Sequence, residues 1–124
     1  MRRLIVDGMN VIGSRPDGWW RDREGAMRVL AEQLELHAER TGDQVAVVFD
    51  GRPHEVPGER VDVTFASTRG PNAADRDIAE RVERDPDPAS LAVVTSDQAL
   101  AERVRAAGAQ VIGAGSFRRE LEQS

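Results

Sequence analysis

The chain has 124 residues, 40% hydrophobic and 31% charged, enough apolar material for one domain with its own core and too much for a disordered tail. It has no cysteine, which excludes disulfides, zinc–thiolate centres and thiol nucleophiles. All 17 basic residues are arginine and the net charge is −5, which argues against nonspecific coating of nucleic acid but is compatible with an acidic catalytic centre served by local arginines.

Two arginines precede Leu4-Ile5-Val6, and Asp7 ends that apolar run at once, so no signal peptide is expected. No apolar run approaches the ~18 residues that span a bilayer, and the cytoplasm is the expected compartment. Leu4 to Val6 reads as a buried strand and Gly8 to Gly18 as a loop. Asp22 is a fitting N-cap for a helix over 23–40, where Met27, Leu30, Leu34 and Ala38 recur at helical spacing and Gly42 ends the run. Val45 to Phe49 reads as a second buried strand, closed by Asp50. A loop with Pro53 and Pro57 follows, and the alternation Val61, Val63, Phe65 reads as a third strand nearer an edge. Ala74, Ile78, Ala79 and Val82 place a helix over 72–84, and Asp85-Pro86-Asp87-Pro88 is a turn. Leu91 to Val94 is a fourth strand, Gln98 to Ala107 a helix closed by Gly108, Gln110 to Ile112 a fifth strand, and Phe117 to Leu121 the start of a last helix.

Strands alternating with helices imply an α/β domain over residues 1–124, with a parallel sheet covered by helices on both faces. Ligands of such sheets bind beyond the carboxyl ends of the strands. Asp7 and Asp50 directly follow apolar runs, Asp97 follows one after two residues, and Asp75 lies in the first turn of the helix after the third strand. Topology alone therefore carries these four aspartates to one edge. Carboxylates crowded together repel unless some protonate or a cation joins them. Oxygen donors of this kind suit Mg²⁺ or Mn²⁺, which activates water and offsets charge on a phosphoryl group. A lone aspartate after a strand is as easily a cap or a turn former, and Thr95-Ser96-Asp97 ahead of a helix fits that bland reading well. Asp77 is about 200° around the helix from Asp75 and competes with it for the crevice; Asp75 is favoured.

Several rival sites are missing components. A phospho-receiver needs a lysine, a dehalogenase-type phosphatase needs a second acid in place of Met9, and neither G-x-G-x-x-G nor G-K-[ST] occurs. Ser96 has no histidine in a suitable context for a triad, since His37 falls on the apolar side of a helix and His54 sits in a loop.

The segment Ile5-Val6-Asp7-Gly8-Met9-Asn10-Val11-Ile12 resembles the opening signature of YacP-like NYN domains, a branch of the PIN-like nucleases. Val47-Val48-Phe49-Asp50-Gly51, Ala74-Asp75 with Ile78, and Val94-Thr95-Ser96-Asp97 resemble the branch's later acidic motifs, and Gly115 to Leu121 its closing helix. The resemblance implies a three-layer fold with strand order 3-2-1-4-5. It further implies a metal-dependent endoribonuclease of RNA processing or decay, with RNA as partner and the ribosome or other RNA-processing proteins as further ones. Carried over, Asp7, Asp50, Asp75 and Asp97 bind Mg²⁺ or Mn²⁺, Asn10 orients Asp7 or the attacking water, and Ser96 adds a hydroxyl. This chain departs from the branch in being shorter than typical members and in having Ala79, followed by Glu80, where a glutamate is frequent. A non-catalytic module that recruits RNA or a ribosome-linked partner is the alternative from another class, and a small-molecule phosphatase a third.

Arg15, Arg21, Arg52 and Arg69 fall in loops expected at the acidic edge, where they would contact phosphates or simply be solvated. Trp19 and Trp20 would either stack on bases or cap the core.

Overall fold

The computed structural model describes residues 2–15 and 17–123. Five strands, β1 (Arg3–Asp7), β2 (Gln44–Phe49), β3 (Asp62–Phe65), β4 (Leu91–Val94) and β5 (Gln110–Ile112), form one sheet in the order β3-β2-β1-β4-β5. Every pairing is parallel. The helices are α1 (Gly8–Gly13), α2 (Arg23–Thr41), α3 (Ala73–Arg84), α4 (Gln98–Ala106) and α5 (Ala114–Glu122). This is the three-layer α/β fold and strand order expected from the sequence.

Side chains alternate across a strand, so β1 feeds two cores. Leu4 and Val6 join Val47, Phe49, Leu34 and Phe117 in the core beneath α1, α2 and α5. Ile5 joins Val48, Val93, Ile78, Val82 and Val104 beneath α3 and α4. Burial on both faces explains why β1, β2 and β4 read as continuous apolar runs, while edge strand β3 alternates.

Two helices differ from the reading of the sequence. The segment that reads as a loop from Gly8 begins as α1, with Val11 and Ile12 buried; Pro16, within the same segment, lies outside the described residues. The chain passes from β1 into α1 hard against Phe49, where a Cβ on Gly8 would lie 2.5 Å from the Phe49 ring. Only glycine allows that approach, and its low helix propensity hides the helix that follows. Helix α5 starts at Ala114, ahead of the expected Phe117, because the Ser96 hydroxyl accepts the Ala114 N–H at 2.9 Å and satisfies a first-turn donor from outside the helix.

Other signals are observed where expected. Asp22 caps α2 by accepting the Gly25 N–H at 3.0 Å, and Gly42 ends the helix in the left-handed region at φ 77°. No helix among the described residues is long and apolar enough to cross a membrane.

Candidate active site

Register places the site. Asp7 ends the central strand level with Val48 of β2, so Asp50 lies two residues further along the neighbouring chain. Val6 pairs with Val94 of β4, which sets Thr95 beside Asp7. Asp97 and Asp75 enter from the N-termini of α4 and α3. This is the point where the chain order reverses about β1 and β4, the crevice such sheets offer to ligands.

Three of the four acids are held by hydrogen bonds of the fold. Asp7, only 4% exposed, accepts the Thr95 hydroxyl at 3.0 Å. The same hydroxyl oxygen accepts the Asp97 N–H at 3.1 Å, so one buried threonine ties two acids together. Asp97 Oδ1 caps α4 through the Leu100 N–H at 2.8 Å. Asp50 Oδ1 accepts the Ala74 N–H at 2.9 Å in the first turn of α3, next to Asp75. The second oxygens of Asp50 and Asp97 have no hydrogen-bond partner among the described residues. The bland reading of Asp97 as a helix cap therefore holds for one of its oxygens and leaves the other without a hydrogen bond among the described residues.

The electrostatics show that the four acids share one field. Burial, then the charge of Asp75, pushes the Asp7 carboxyl up to about 7, with Asp50 adding to the rise and the Thr95 and Asn10 hydrogen bonds opposing it. Asp75 is raised by burial and by the charges of Asp97 and Asp50, with Asp7 and the Arg76 charge opposing the rise. Without a cation, burial and mutual repulsion disfavour full ionisation of Asp7 and Asp75. The donor set, oxygen-only and mutually repelling, is of the kind that Mg²⁺ or Mn²⁺ satisfies. Among the described residues, however, no three acid or histidine side chains already stand at ligating spacing. The donors suit a hard ion by their chemistry and not by their present spacing.

The remaining candidates fall into distinct places. The Asn10 side-chain oxygen accepts the Ser96 N–H at 2.7 Å, which fixes the loop between Thr95 and Asp97. The Ser96 hydroxyl faces α5 as the acceptor described above. Asp77 is committed elsewhere, accepting the Ser67 N–H at 2.6 Å and the Ser67 hydroxyl at 2.8 Å. Glu80 is exposed and lies 3.7 Å from Arg84. Neither joins the crevice. Arg52 and Arg69 are exposed, and no carboxylate pairs with them among the described residues. Arg15 is instead paired with Glu122 and lies 3.7 Å from Asp17. With Arg21, Arg118 and Trp19 it lines a cleft of about 280 Å³ between α1 and α2. Trp19 packs against the core, with Arg23 5.8 Å above its ring, whereas Trp20 is 59% exposed. The His54 ring lies 3.1 Å from the Met27 sulfur and against Phe65, so it pins its loop to the core. Thr95 is a site residue that the sequence does not single out. A hydroxyl one residue past a buried strand and two before an acid is a signal, but it reads as a turn residue until the β1–β4 register is known.

A parallel α/β sheet with acids gathered at its switch point is the nuclease-like architecture of the PIN-like group. The chain belongs to the YacP-like NYN domain family, whose model matches residues 4–124. It is similar to Rae1 (YacP) from Bacillus subtilis, with 29% sequence identity and a TM-score of 0.82 over 99% of this chain and 75% of that one. The W164L mutant of Rae1 gives 30% identity and the same TM-score over 99% of this chain and 76% of that one. No curated protein matches the sequence.

Proposed function

We propose that this protein is a divalent-metal-dependent endoribonuclease, cutting RNA phosphodiester bonds in RNA processing or decay. The observation that carries the reading is the buried Asp7 carboxyl at the end of the central strand, in a crevice whose field it shares with Asp50, Asp75 and Asp97. A fold keeps so unfavourable a cluster where the charges serve a reaction. Family membership narrows the chemistry to nucleases.

Asp7, Asp75, Asp97 and Asp50 would hold Mg²⁺ or Mn²⁺. When bound, such an ion lowers the pKa of a water and offsets charge on the phosphate. The chain's own residues do the rest. Thr95 holds Asp7 and the start of α4 in fixed relation. Asn10 keeps the loop carrying Asp97 in place. Arg52 and Arg69 would supply exposed positive charge at the rim for RNA phosphates. Attack by water on phosphorus breaks the bond to the leaving oxygen, which takes up a proton.

With Mn²⁺, purified protein is expected to cut single-stranded RNA internally, and EDTA to stop it. Asp7→Asn and Asp97→Asn are expected to fold and to lose at least about 100-fold in rate. Asparagine caps helices as well as aspartate does, so Asp97→Asn spares α4. Cutting by either variant at the wild-type rate would sink the mechanism. The absence of three side chains at ligating spacing among the described residues favours one alternative, an RNA- or ribosome-associated binding module. That reading wins if the protein binds RNA but never cuts it with Mn²⁺ across many substrates.

A further inference from the structure

Helices α3 and α4 leave between them a cleft of about 170 Å³ that opens beside the acids. Asp75 and Asp97 form its inner wall, the exposed Ala99 flanks it above the buried Ala79 and Leu100, and Asn72 and Arg76 stand at its rim. Asn72 is the only non-glycine residue with positive φ among the described residues, at 63°. Asparagine tolerates this conformation better than most residues, yet it remains a cost, and residues held there cluster at functional sites. The cost is not repaid by capping, because the Asn72 side chain makes no cap hydrogen bond to α3. Its amide, two donors and one acceptor, has no partner among the described residues and is exposed at the mouth of the cleft.

The charge at this rim is also specific. Arg103 reaches the cleft, but Glu83 holds it through two hydrogen bonds of 2.8 Å. Arg76 has only neutral hydrogen-bond partners, the Pro71 carbonyl at 3.2 Å and the Thr68 hydroxyl at 3.2 Å, while its charge also acts on the neighbouring Asp75. Those bonds order its guanidinium and leave its charge uncompensated by a direct ion pair. A partly apolar slot, an unpaired amide and a guanidinium without a direct ion pair, all beside the acids, match the parts of one nucleotide. The slot takes a base face, the amide a base edge and the guanidinium a phosphate.

We propose that this cleft receives one unstacked base of single-stranded RNA, from the nucleotide beside the cleaved phosphate, with Asn72 reading the base edge and Arg76 facing the phosphate. The proposal rests on the ribonuclease reading above and adds to it a subsite for one base. A base buried in a helical stack cannot enter the slot, so paired RNA is excluded.

The test uses Asn72→Gly, because glycine adopts φ 63° freely and the Arg76 N–H keeps its bond to the backbone carbonyl at position 72. A thermal melt confirms that the variant is folded. Binding of short labelled homopolymeric oligoribonucleotides, alone and annealed to their complements, is measured in the cleavage-poor Asp7→Asn protein with and without Asn72→Gly. The expected result is tighter binding of single strands than duplexes and unequal affinities among the homopolymers. Asn72→Gly should weaken single-strand binding by about tenfold and level those differences. Arg76→Gln should weaken all homopolymers alike. Unchanged affinity and ranking in Asn72→Gly, or duplexes bound as well as single strands, would overturn the proposal. Cleavage by the wild type with Mn²⁺ is scored separately. If binding responds as expected but no RNA is cut, the cleft stands and the nuclease reading falls; if RNA is cut and binding does not respond, the reverse holds.

Discussion

At the scale of single residues, the site is built around a carboxyl that the fold does not want ionised. The acids themselves are legible in the sequence, because Asp7 and Asp50 end apolar runs and Asp97 closely follows one. The choice between Asp75 and Asp77 is not legible from spacing alone; Ser67 decides it by claiming both oxygens of Asp77. Thr95 escapes a reading of the sequence because its importance lies in pairing across strands. It is 1% exposed and serves Asp7 as donor and the Asp97 N–H as acceptor. Replacement by valine, nearly the same shape, removes both roles and leaves the Asp97 N–H and the Asp7 carboxyl each short of a partner. Thr95→Val is expected to cost about 1–3 kcal/mol in urea unfolding and to slow cleavage by at least about tenfold. Thr95→Ser keeps the hydroxyl and should recover most of the cleavage rate. Equal cleavage by the valine and serine variants would show that the hydroxyl has no part in setting the acids.

At the scale of elements, long periodic helices are legible to within a residue or two, whereas short elements are decided by contacts the chain makes elsewhere. Helix α1 depends on the close pass of Gly8 against Phe49, and the start of α5 on a serine from the loop after β4. Strand β3 shows the same dependence. It is preceded by a turn whose Glu59, Arg60 and Val61 N–H groups all point at the Glu35 carboxylate of α2, at 2.6 to 3.1 Å. Burial works against ionisation of Glu35, but these three donors outweigh it and hold the carboxyl below its ordinary value. Nothing in the sequence near residue 59 signals a partner on α2. Glu35→Ala therefore strips several backbone donors of their acceptor at once and is expected to loosen β3 first. Amide hydrogen exchange should accelerate at residues 59–65 while β1 and β4 keep their protection. Uniform acceleration over the whole sheet would show instead that β3 does not open on its own.

At the scale of the whole molecule, the two ends of the sheet treat charge in opposite ways. The strand carboxyl ends gather acids that repel one another. The opposite end pairs its charges. Buried His37 lies 2.9 Å from Asp43, and Arg2 reaches both Asp43 at 3.0 Å and Glu120 at 2.6 Å. This cluster is illegible in the sequence because its members come from four segments, and His37 alone reads as a core histidine. Burial alone would raise Asp43, but the Arg2 N–H, the His37 ring and the Arg2 guanidinium reverse it and hold the carboxyl at about 2. The two ends must then respond oppositely to pH. Asp43 binds its proton less tightly folded than unfolded, so its stabilisation is full above the ordinary carboxylate value and is lost as pH falls toward 2. Asp7 binds its proton more tightly folded, so the metal-free protein is favoured below the ordinary value and loses stability as pH rises through 7. In EDTA, stability should therefore peak between about pH 4 and 5. Asp43→Asn should lower stability by about 2 kcal/mol at neutral pH, with the gap closing toward pH 2, and leave RNA cleavage at the far end of the sheet unchanged. Asp7→Asn should raise the metal-free melting temperature at pH 8 by ~5 °C while cleavage is lost. Urea denaturation of the wild type and both variants across pH in EDTA checks all of this at once. A wild-type curve that keeps rising from pH 5 to pH 8 would mean that Asp7 is not strained by its neighbours, and the electrostatic need for a cation at that edge would go with it.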